Sequence, residues 1–194
     1  MTSVPTIATN AAGVRERILG AAVRLFYGEG IRAVSADRII ADAGISKVTF
    51  YRHFRTKDDL VVAYLEHVSA TEREQLAAAR AAHPGDPTGV LRWYAASLGD
   101  ASCSPGFRGC AFINAAAEYP DGTHPVRLVV DRRREWLTGQ AADVLEEMGV
   151  ADACARAEQL MMLRDGAMVA GALGRSPESV AATMLAAGRA ILHQ

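Results

Sequence analysis

The stretch ISKVTFYRHFRTKDDL, residues 45–60, constrains the fold of this chain more than any other segment. Ser46 is placed to cap a helix beginning at Lys47, because its hydroxyl can accept hydrogen bonds from the free N–H groups of the first turn. Phe50 and Phe54 are four residues apart and share one helical face, which suits a helix anchored on a small core. Hydroxyl, phenol, guanidinium and imidazole groups fill much of the remainder, and such groups contact DNA phosphates and base edges. We therefore expect this helix to contact DNA.

The residues before this stretch predict a helix-turn-helix. Residues 35–43 (SADRIIADA) have the pattern of a short helix with Ser35 as its cap, and Gly44 follows where the chain must turn sharply. A helix, a glycine-containing turn and a second, basic helix form a helix-turn-helix, whose second helix lies in the major groove. Apolar residues at helical spacing from Val14 to Phe26 predict a third helix for a small domain.

The run from Ile18 to Leu60 resembles the N-terminal domain of TetR-family transcriptional regulators. The matching features are a phenylalanine before Gly30, the Ala-Gly-Ile-Ser turn, and a series of aromatic, basic and apolar residues, namely Tyr51, His53, Phe54, Lys57 and Leu60. The resemblance covers roughly residues 12–65. It implies an all-helical homodimer that binds a palindromic operator in double-stranded DNA. It also implies release of that DNA when a small-molecule effector occupies the C-terminal domain.

The resemblance assigns DNA contacts position by position, to Ser35, Lys47, Thr49, Tyr51, His53 and Lys57. Arg52 departs from the aromatic residue or histidine often found at its position, and we expect it to change base preference or to add a phosphate contact. The complete set of candidate DNA-binding residues is Ser35, Ser46, Lys47, Val48, Thr49, Tyr51, Arg52, His53 and Lys57.

The whole sequence predicts an all-α fold of about nine helices. Residues 1–11 lack periodicity and are expected to form a disordered arm, residues 12–56 a helix-turn-helix DNA-binding domain, and residues 57–194 a helical regulatory and dimerisation domain. Residues 1–60 carry a net charge of +3 and the remainder −4, which together give the net charge of −1. A mildly basic end on a mildly acidic body fits operator binding through one end only.

Proline, glycine and aspartate separate the predicted helices of the second part. Thr56 is placed to cap the first of them, with acidic residues in its first turn. Asp86 and Pro87 begin the next helix. The helix that Thr56 caps is predicted over residues 57–82. Further helices are predicted over residues 107–118, from Pro125 to about Met148, from Asp152 to Gly174, and from Pro177 to about His193.

The last two helices predict a dimer interface. Residues 166–174 (GAMVAGALG) are small and apolar on nearly every side, and an apolar stripe runs along the final helix. A helix that is apolar on most of its surface must be buried on more than one side. Either these helices pack only within their own subunit, or a second copy covers the spare face and forms a two-fold four-helix interface. The family resemblance favours the homodimer.

The effector pocket is predicted less directly. The residues proposed for it are Trp93, Phe112, Asn114, Arg133, Trp136, Met162 and Asp165. A wider set of apolar candidates adds Tyr94, Phe107, Met161 and Met168, and a wider set of polar candidates adds Glu118 and Arg164. Aromatic and methionine side chains at helical spacing more often belong to a core than to a pocket, so both interpretations stay open at this point.

The three cysteines support an alternative function. Their odd number and irregular spacing are typical of a reducing compartment rather than a disulfide framework. Cys103 and Cys110 flank a Pro-Gly turn near Arg108, where a thiol can be partly ionised. Two other functions therefore stay open: a redox- or electrophile-sensing regulator on the same scaffold, and a helical small-molecule carrier or enzyme whose DNA-binding motif is vestigial.

The sequence contains no motif for phosphate binding, nucleophilic catalysis or metal binding. Phosphate-binding glycine loops, nucleophile elbows and metal-ligand spacings are missing, so we expect neither a cofactor, nor a metal, nor enzyme activity. The sequence shows no signal-peptide pattern and no run of about 20 apolar residues, and we expect a cytoplasmic protein with no membrane partner.

Overall fold

The computed structural model describes residues 13–192, and the predicted disordered arm over residues 1–11 lies outside this range. The described residues form nine α-helices and no β-strand, which confirms the predicted all-α fold. In chain order these are α1 (Val14–Glu29), α2 (Ala36–Ala43), α3 (Lys47–His53), α4 (Lys57–Ala82), α5 (Pro87–Ser102), α6 (Ala111–Glu118), α7 (Pro125–Glu147), α8 (Ala153–Ala172) and α9 (Pro177–Leu192).

The described residues divide into two compact units. The first unit holds residues 13–71 and 111–131, and the second holds residues 72–110 and 132–192. Helices α4 and α7 each contribute residues to both units. The domain boundaries proposed from the sequence stay a prediction.

Local signals set the helix ends in the first unit. Ser35 caps α2 by accepting from the Arg38 N–H at 3.1 Å. Gly44 ends α2 in the left-handed region, at φ +62° and ψ +45°, a conformation open to glycine at little cost. Thr56 and Asp59 cap α4 reciprocally, each side chain accepting from the other residue's N–H at 3.0 Å. The predicted start of α4 is thus confirmed.

The core of the first unit comes from the apolar faces of α1 to α4. Phe50 and Leu60 are fully buried, and the rings of Phe26 and Tyr64 lie 5.7 Å apart. Full burial of an apolar side chain of this size contributes about 1.5–3 kcal/mol to stability. Ile39 is also fully buried, so α2 is fixed on the same core from its inner face.

In the second unit, α5 packs against α8 and α9, which also pack against each other. Two glycines permit this close approach. A Cβ added at Gly171 would lie 2.9 Å from both Phe107 and Ser102, and one added at Gly99 would lie 3.2 Å from the Ala181 side chain. The small residues that predicted an intermolecular interface therefore also serve packing within the subunit.

Two predicted helix bounds were wrong. The helix predicted over residues 107–118 begins only at Ala111, because Gly109 has φ +77° and Gly106 has φ +79°, which no right-handed helix accommodates. The helix predicted from Asp152 begins at Ala153, because Asp152 itself has φ +54°. Among residues 13–192, no helix is both long and apolar enough to cross a membrane.

Candidate nucleic-acid interface and internal cavity

Helix α3 begins where the sequence predicts. The Ser46 hydroxyl accepts from the Thr49 N–H at 3.1 Å and shares a second hydrogen bond of 2.8 Å with the Thr49 hydroxyl. Ser46 has φ −83° and ψ +156°, the extended backbone that is usual for an N-cap residue. The cap fixes the register of α3 and leaves Lys47 as its first residue.

The aromatic anchors decide which face of α3 meets solvent. Phe50 is fully buried and Phe54 is 3% exposed, and their ring centroids lie 6.2 Å apart. The opposite face carries Val48, which is 72% exposed, and Tyr51, which is 44% exposed. A large apolar side chain left so exposed on a short basic helix suits contact with a thymine methyl group or a sugar.

The predicted DNA-binding residues fall into two groups. Side chains on or next to the free surface of α3 are those of Lys47, Val48, Tyr51, Arg52 and His53. The others also have structural roles: Ser35 and Ser46 are caps, Thr49 is half-buried, and Lys57 is partly buried. Eight of the nine residues thus lie at the N-termini of α2 and α3 or along α3. The ninth, Lys57, is the first residue of α4.

Two lysines of this set have partners within the first unit. Lys47 pairs with Asp37 at 3.2 Å, but both side chains are mostly exposed, so the pair contributes little to stability and can be exchanged for a phosphate. The Lys57 ammonium lies 5.9 Å from the centre of the Phe26 ring. Burial lowers the pKa of Lys57, while the carboxylates of Asp58 and Glu118 oppose that change.

Glu118 fixes the loop between α1 and α2. Its carboxylate accepts from the backbone N–H of Ile31 at 2.9 Å and from that of Arg32 at 2.5 Å. The loop begins at Gly30, which has φ +96°. The sequence predicted Glu118 as a candidate effector contact. In the structure its carboxylate binds the loop that precedes the helix-turn-helix.

A second polar cluster joins the beginning of α4 to the loop between α6 and α7, within the first unit. The Tyr119 hydroxyl donates to Asp58 at 2.7 Å, and His124 Nε2 lies 3.5 Å from the same carboxylate. Burial raises the pKa of the Tyr119 phenol, and the hydrogen bond to Asp58 raises it further. The residue that follows α6 is thus held against the beginning of α4, in the first unit.

The second unit contains a partly open cavity of about 640 Å³, a volume in the range of small-molecule sites. Most of its lining is apolar and includes Leu91, Val144, Met161 and Leu185. Within the wider sets proposed from the sequence, Tyr94, Met161 and Arg164 line this cavity.

The seven residues first proposed for an effector pocket do not line this cavity, and that proposal stays a prediction. Phe112 and Asn114 belong to the first unit. In the second unit, Trp93 packs beside a small core cluster and Met162 is 69% exposed. The remaining three have partners that the sequence did not reveal: Arg133 with Glu72, Trp136 with Arg73, and Asp165 with Arg134 and Arg164.

A network of arginines and carboxylates lies beside the cavity. Arg133 is 3% exposed and binds Glu72 through both Nε and Nη2, the first at 2.8 Å. Asp165 accepts from Arg134 at 2.6 Å and from Arg164 at 3.0 Å. Burial acts to raise the pKa of Asp165, but the hydrogen bonds from the two guanidiniums outweigh it, so the pKa lies below its ordinary value.

The cysteines occupy different environments. Cys103 and Cys154 are exposed, whereas Cys110 is buried and contacts the Arg164 guanidinium. All three are free thiols. No group of three or more histidine, cysteine or acidic side chains that could hold a metal ion occurs in the described part of the chain. The redox hypothesis stays a prediction.

Comparison with known proteins gives one family from both a family model and solved structures. Residues 18–64 match the model of the family described as bacterial regulatory proteins, tetR family. The crystal structure of SCO4454, a TetR-family transcriptional regulator from Streptomyces coelicolor, is 46% identical with a TM-score of 0.86. The match covers 92% of this chain and 94% of that one. A putative TetR transcriptional regulator from Streptomyces avermitilis is 26% identical with a TM-score of 0.75, over 92% and 99% of the two chains.

More distant relatives match only in part or only in fold. The HTH-type transcriptional regulator AcrR of Shigella flexneri is 35% identical over 82 residues, which are 42% of this chain and 38% of that relative's length. The reduced form of E. coli NemR has a TM-score of 0.81 at 21% identity, over 94% and 98% of the two chains, and so supports the fold alone.

Proposed function

The chain belongs to the TetR family of transcriptional regulators, and we propose that it is a ligand-responsive repressor. In this proposal a homodimer binds a palindromic operator in double-stranded DNA through α3 of each subunit. A small molecule in the cavity of the second unit then releases the DNA. The observation that carries the proposal is the exposed face of α3, which is rigidly capped at Ser46 and anchored by buried Phe50.

Contacts with DNA follow from the exposed side chains. Arg52 and Lys47 are placed to bind phosphates or guanine, and the phenol of Tyr51 to donate to a phosphate. The hydroxyl of Thr49 is hydrogen-bonded to that of Ser46, so Thr49 stabilises the beginning of α3 in addition to any contact with DNA. Residues 46–57 carry no acidic side chain, which favours approach to the phosphate backbone.

Dimerisation through α8 and α9 is supported by apolar residues left on the surface of the second unit. Met162 and Val169, seven residues apart on α8, are 69% and 46% exposed, and Leu173 after α8 is 81% exposed. Among the described residues of α9, only Val180 is buried. Exposed apolar side chains grouped along one helix mark an interaction surface, and a two-fold axis lets the same surface serve both copies.

Symmetry then sets the operator geometry. Two recognition helices related by a two-fold axis contact successive major grooves about 34–36 Å apart, so each subunit reads one half of a palindrome.

The experiment that tests the proposal is selection of bound fragments from a random duplex pool at two salt concentrations. Enrichment of one palindromic site at both concentrations is expected. Recovery of unsorted DNA, or of none, would contradict sequence-specific binding.

Variants of α3 test the assigned contacts. Tyr51→Ala and Lys47→Ala are expected to weaken operator binding with no change in the helical circular dichroism spectrum, because both side chains are exposed. Loss of a phosphate contact should also reduce the slope of log affinity against log salt by about 1. Arg175→Ala, in the exposed turn between α8 and α9, is the matched control. Unchanged operator affinity in the α3 variants would refute these roles.

A further inference from the structure

Two residues that line the cavity of the second unit each carry a buried polar atom without a hydrogen-bond partner. The Tyr94 hydroxyl and the Arg164 Nε are both buried, and neither has a hydrogen-bond partner among the described residues. Both residues line the cavity. The Tyr94 hydroxyl lies near the Arg164 guanidinium, but the two groups do not meet the geometry of a hydrogen bond. Buried polar groups in folded proteins are nearly always paired, so two such atoms in residues that line one cavity indicate a missing partner.

Both groups demand the same kind of partner. A guanidinium Nε–H is a donor and cannot accept, and a phenol hydroxyl beside that positive charge is most stable when it donates outward. The missing partner is therefore a hydrogen-bond acceptor. A carboxylate offers two acceptor oxygens that can serve both donors together, and hydrogen bonds to an ionised acceptor are stronger than those to a neutral one.

Arginine guanidiniums beside the cavity also favour an anion. The ion pairs of this cluster, within residues 13–192, join the guanidiniums of Arg133, Arg134 and Arg164 to the carboxylates of Glu72 and Asp165. The side chain of Arg164 is only 5% exposed, and it shares the Asp165 carboxylate with the more exposed Arg134. A buried guanidinium that shares a single carboxylate with a second guanidinium favours a further anion.

We propose that this cavity binds a small molecule with an apolar body and a single carboxylate, and that the carboxylate is held by Arg164 and Tyr94. The inference rests on the proposed function, because it gives the chemical class of the effector. The apolar body lies against Leu91, Val144, Met161 and Leu185. The buried thiol of Cys110, which contacts Arg164, is the competing source of negative charge.

Binding of matched probes tests the class directly. Octanoate, decanoate and dodecanoate are titrated into the full-length protein by isothermal titration calorimetry, each beside the alcohol and the primary amine of equal chain length. We expect at least one carboxylate to bind at least about tenfold more tightly than its alcohol, since one hydrogen bond to a charged group is worth about that factor. No saturable binding of any carboxylate, or equal or tighter binding of the alcohol or amine, would overturn the proposal.

Two variants connect the preference to the assigned atoms. Tyr94→Phe removes one donor with little change of volume and should reduce the carboxylate-to-alcohol affinity ratio by about tenfold. Tyr119→Phe, the same change outside the cavity, is the control and should leave the ratio unaltered. A ratio that is unaltered in Tyr94→Phe as well would overturn the assignment. Cys110→Ser should keep the carboxylate preference, whereas a preference seen only in Cys110→Ser would identify the Cys110 thiolate as the counter-ion and overturn the proposal.

The operator obtained by selection separates this inference from the proposed function. If the operator is bound and the carboxylates neither bind nor release it, the effector class is wrong while the regulator stands. If no operator is recovered but carboxylates bind with the expected preference, the repressor assignment fails while the cavity assignment stands. Release of the operator by the carboxylate that binds, and not by its alcohol, supports both.

Discussion

Replacing Glu118 by glutamine tests whether the end of α6 holds the α1–α2 loop in place. The wild-type carboxylate accepts from two successive backbone N–H groups, those of Ile31 and Arg32. A glutamine side chain has the same length but only one acceptor oxygen, and its amide group would place two donors beside a backbone donor. We therefore expect the variant to lose one of the two hydrogen bonds and the attraction of a full negative charge.

The size of the effect follows from the contacts. A hydrogen bond to a charged group contributes about 1.5–3 kcal/mol. The Arg32 N–H is exposed and regains water when released, whereas the Ile31 N–H is partly buried. We expect the glutamine oxygen to keep the hydrogen bond from the Ile31 N–H. The loss of unfolding free energy should then be near the lower end of this range, at about 1.5 kcal/mol. For a protein of this length that corresponds to a fall in Tm of about 3–6 °C.

Thermal and urea unfolding of Glu118→Gln, followed by circular dichroism, measure this loss. Glu135→Gln is the matched control, because Glu135 is an exposed glutamate on α7. Operator affinity is measured in parallel and is expected to fall, since the loop released by the substitution leads directly into α2. A Tm equal to that of the control would refute the stabilising role of Glu118. A lowered Tm with unchanged operator affinity would refute the connection between this loop and DNA binding.

Three further predictions concern local geometry, buried charge and pH. Gly44→Ala should cost about 1–2 kcal/mol in urea unfolding because of its left-handed backbone, and Gly44→Asn should cost less. Arg133→Met leaves the Glu72 carboxylate without its bidentate partner and should cost about 3 kcal/mol. Adding Glu72→Leu should recover most of that loss in a double-mutant cycle. The pKa of Asp165 is lowered in the folded state, so its stabilising effect is present above the unfolded value of about 3.9 and is lost as the pH falls through the folded value. Unfolding free energy measured from pH 5 to pH 2 should therefore fall less steeply in Asp165→Asn than in the wild type.

The sequence by itself determined the helix-turn-helix and most helix ends. The caps at Ser35, Ser46 and Thr56 and the turn at Gly44 all depend on residues within a few positions of one another. Such interactions have the same geometry in any helical protein, and a local pattern can therefore predict them. The anchoring of α3 by Phe50 and Phe54 was predictable for the same reason, since residues four apart share a helical face.

The family resemblance indicated the function of the protein but not which residues of the second unit line a cavity. The family-model match ends at residue 64, whereas the cavity is lined only by residues from Leu76 onward. Apolar residues at helical spacing occur on every helix of the second unit, so the pattern could not separate Met161, which lines the cavity, from the exposed Met162 next to it. Adjacent helix positions differ by about 100° in direction, and only the placement of neighbouring helices decides which one faces a cavity.

Tertiary structure alone decided the long-range polar contacts. Glu118 meets the backbone of Ile31 across 87 positions of sequence, and Arg133 meets Glu72 across 61. A glutamate at the end of a helix or an arginine within one has many equally good partners when judged by spacing, so sequence cannot select between them. Packing of the helices fixes which backbone donors and carboxylates come within reach. Where the pair is buried, as with Arg133 and Glu72, leaving either group unpaired would be costly.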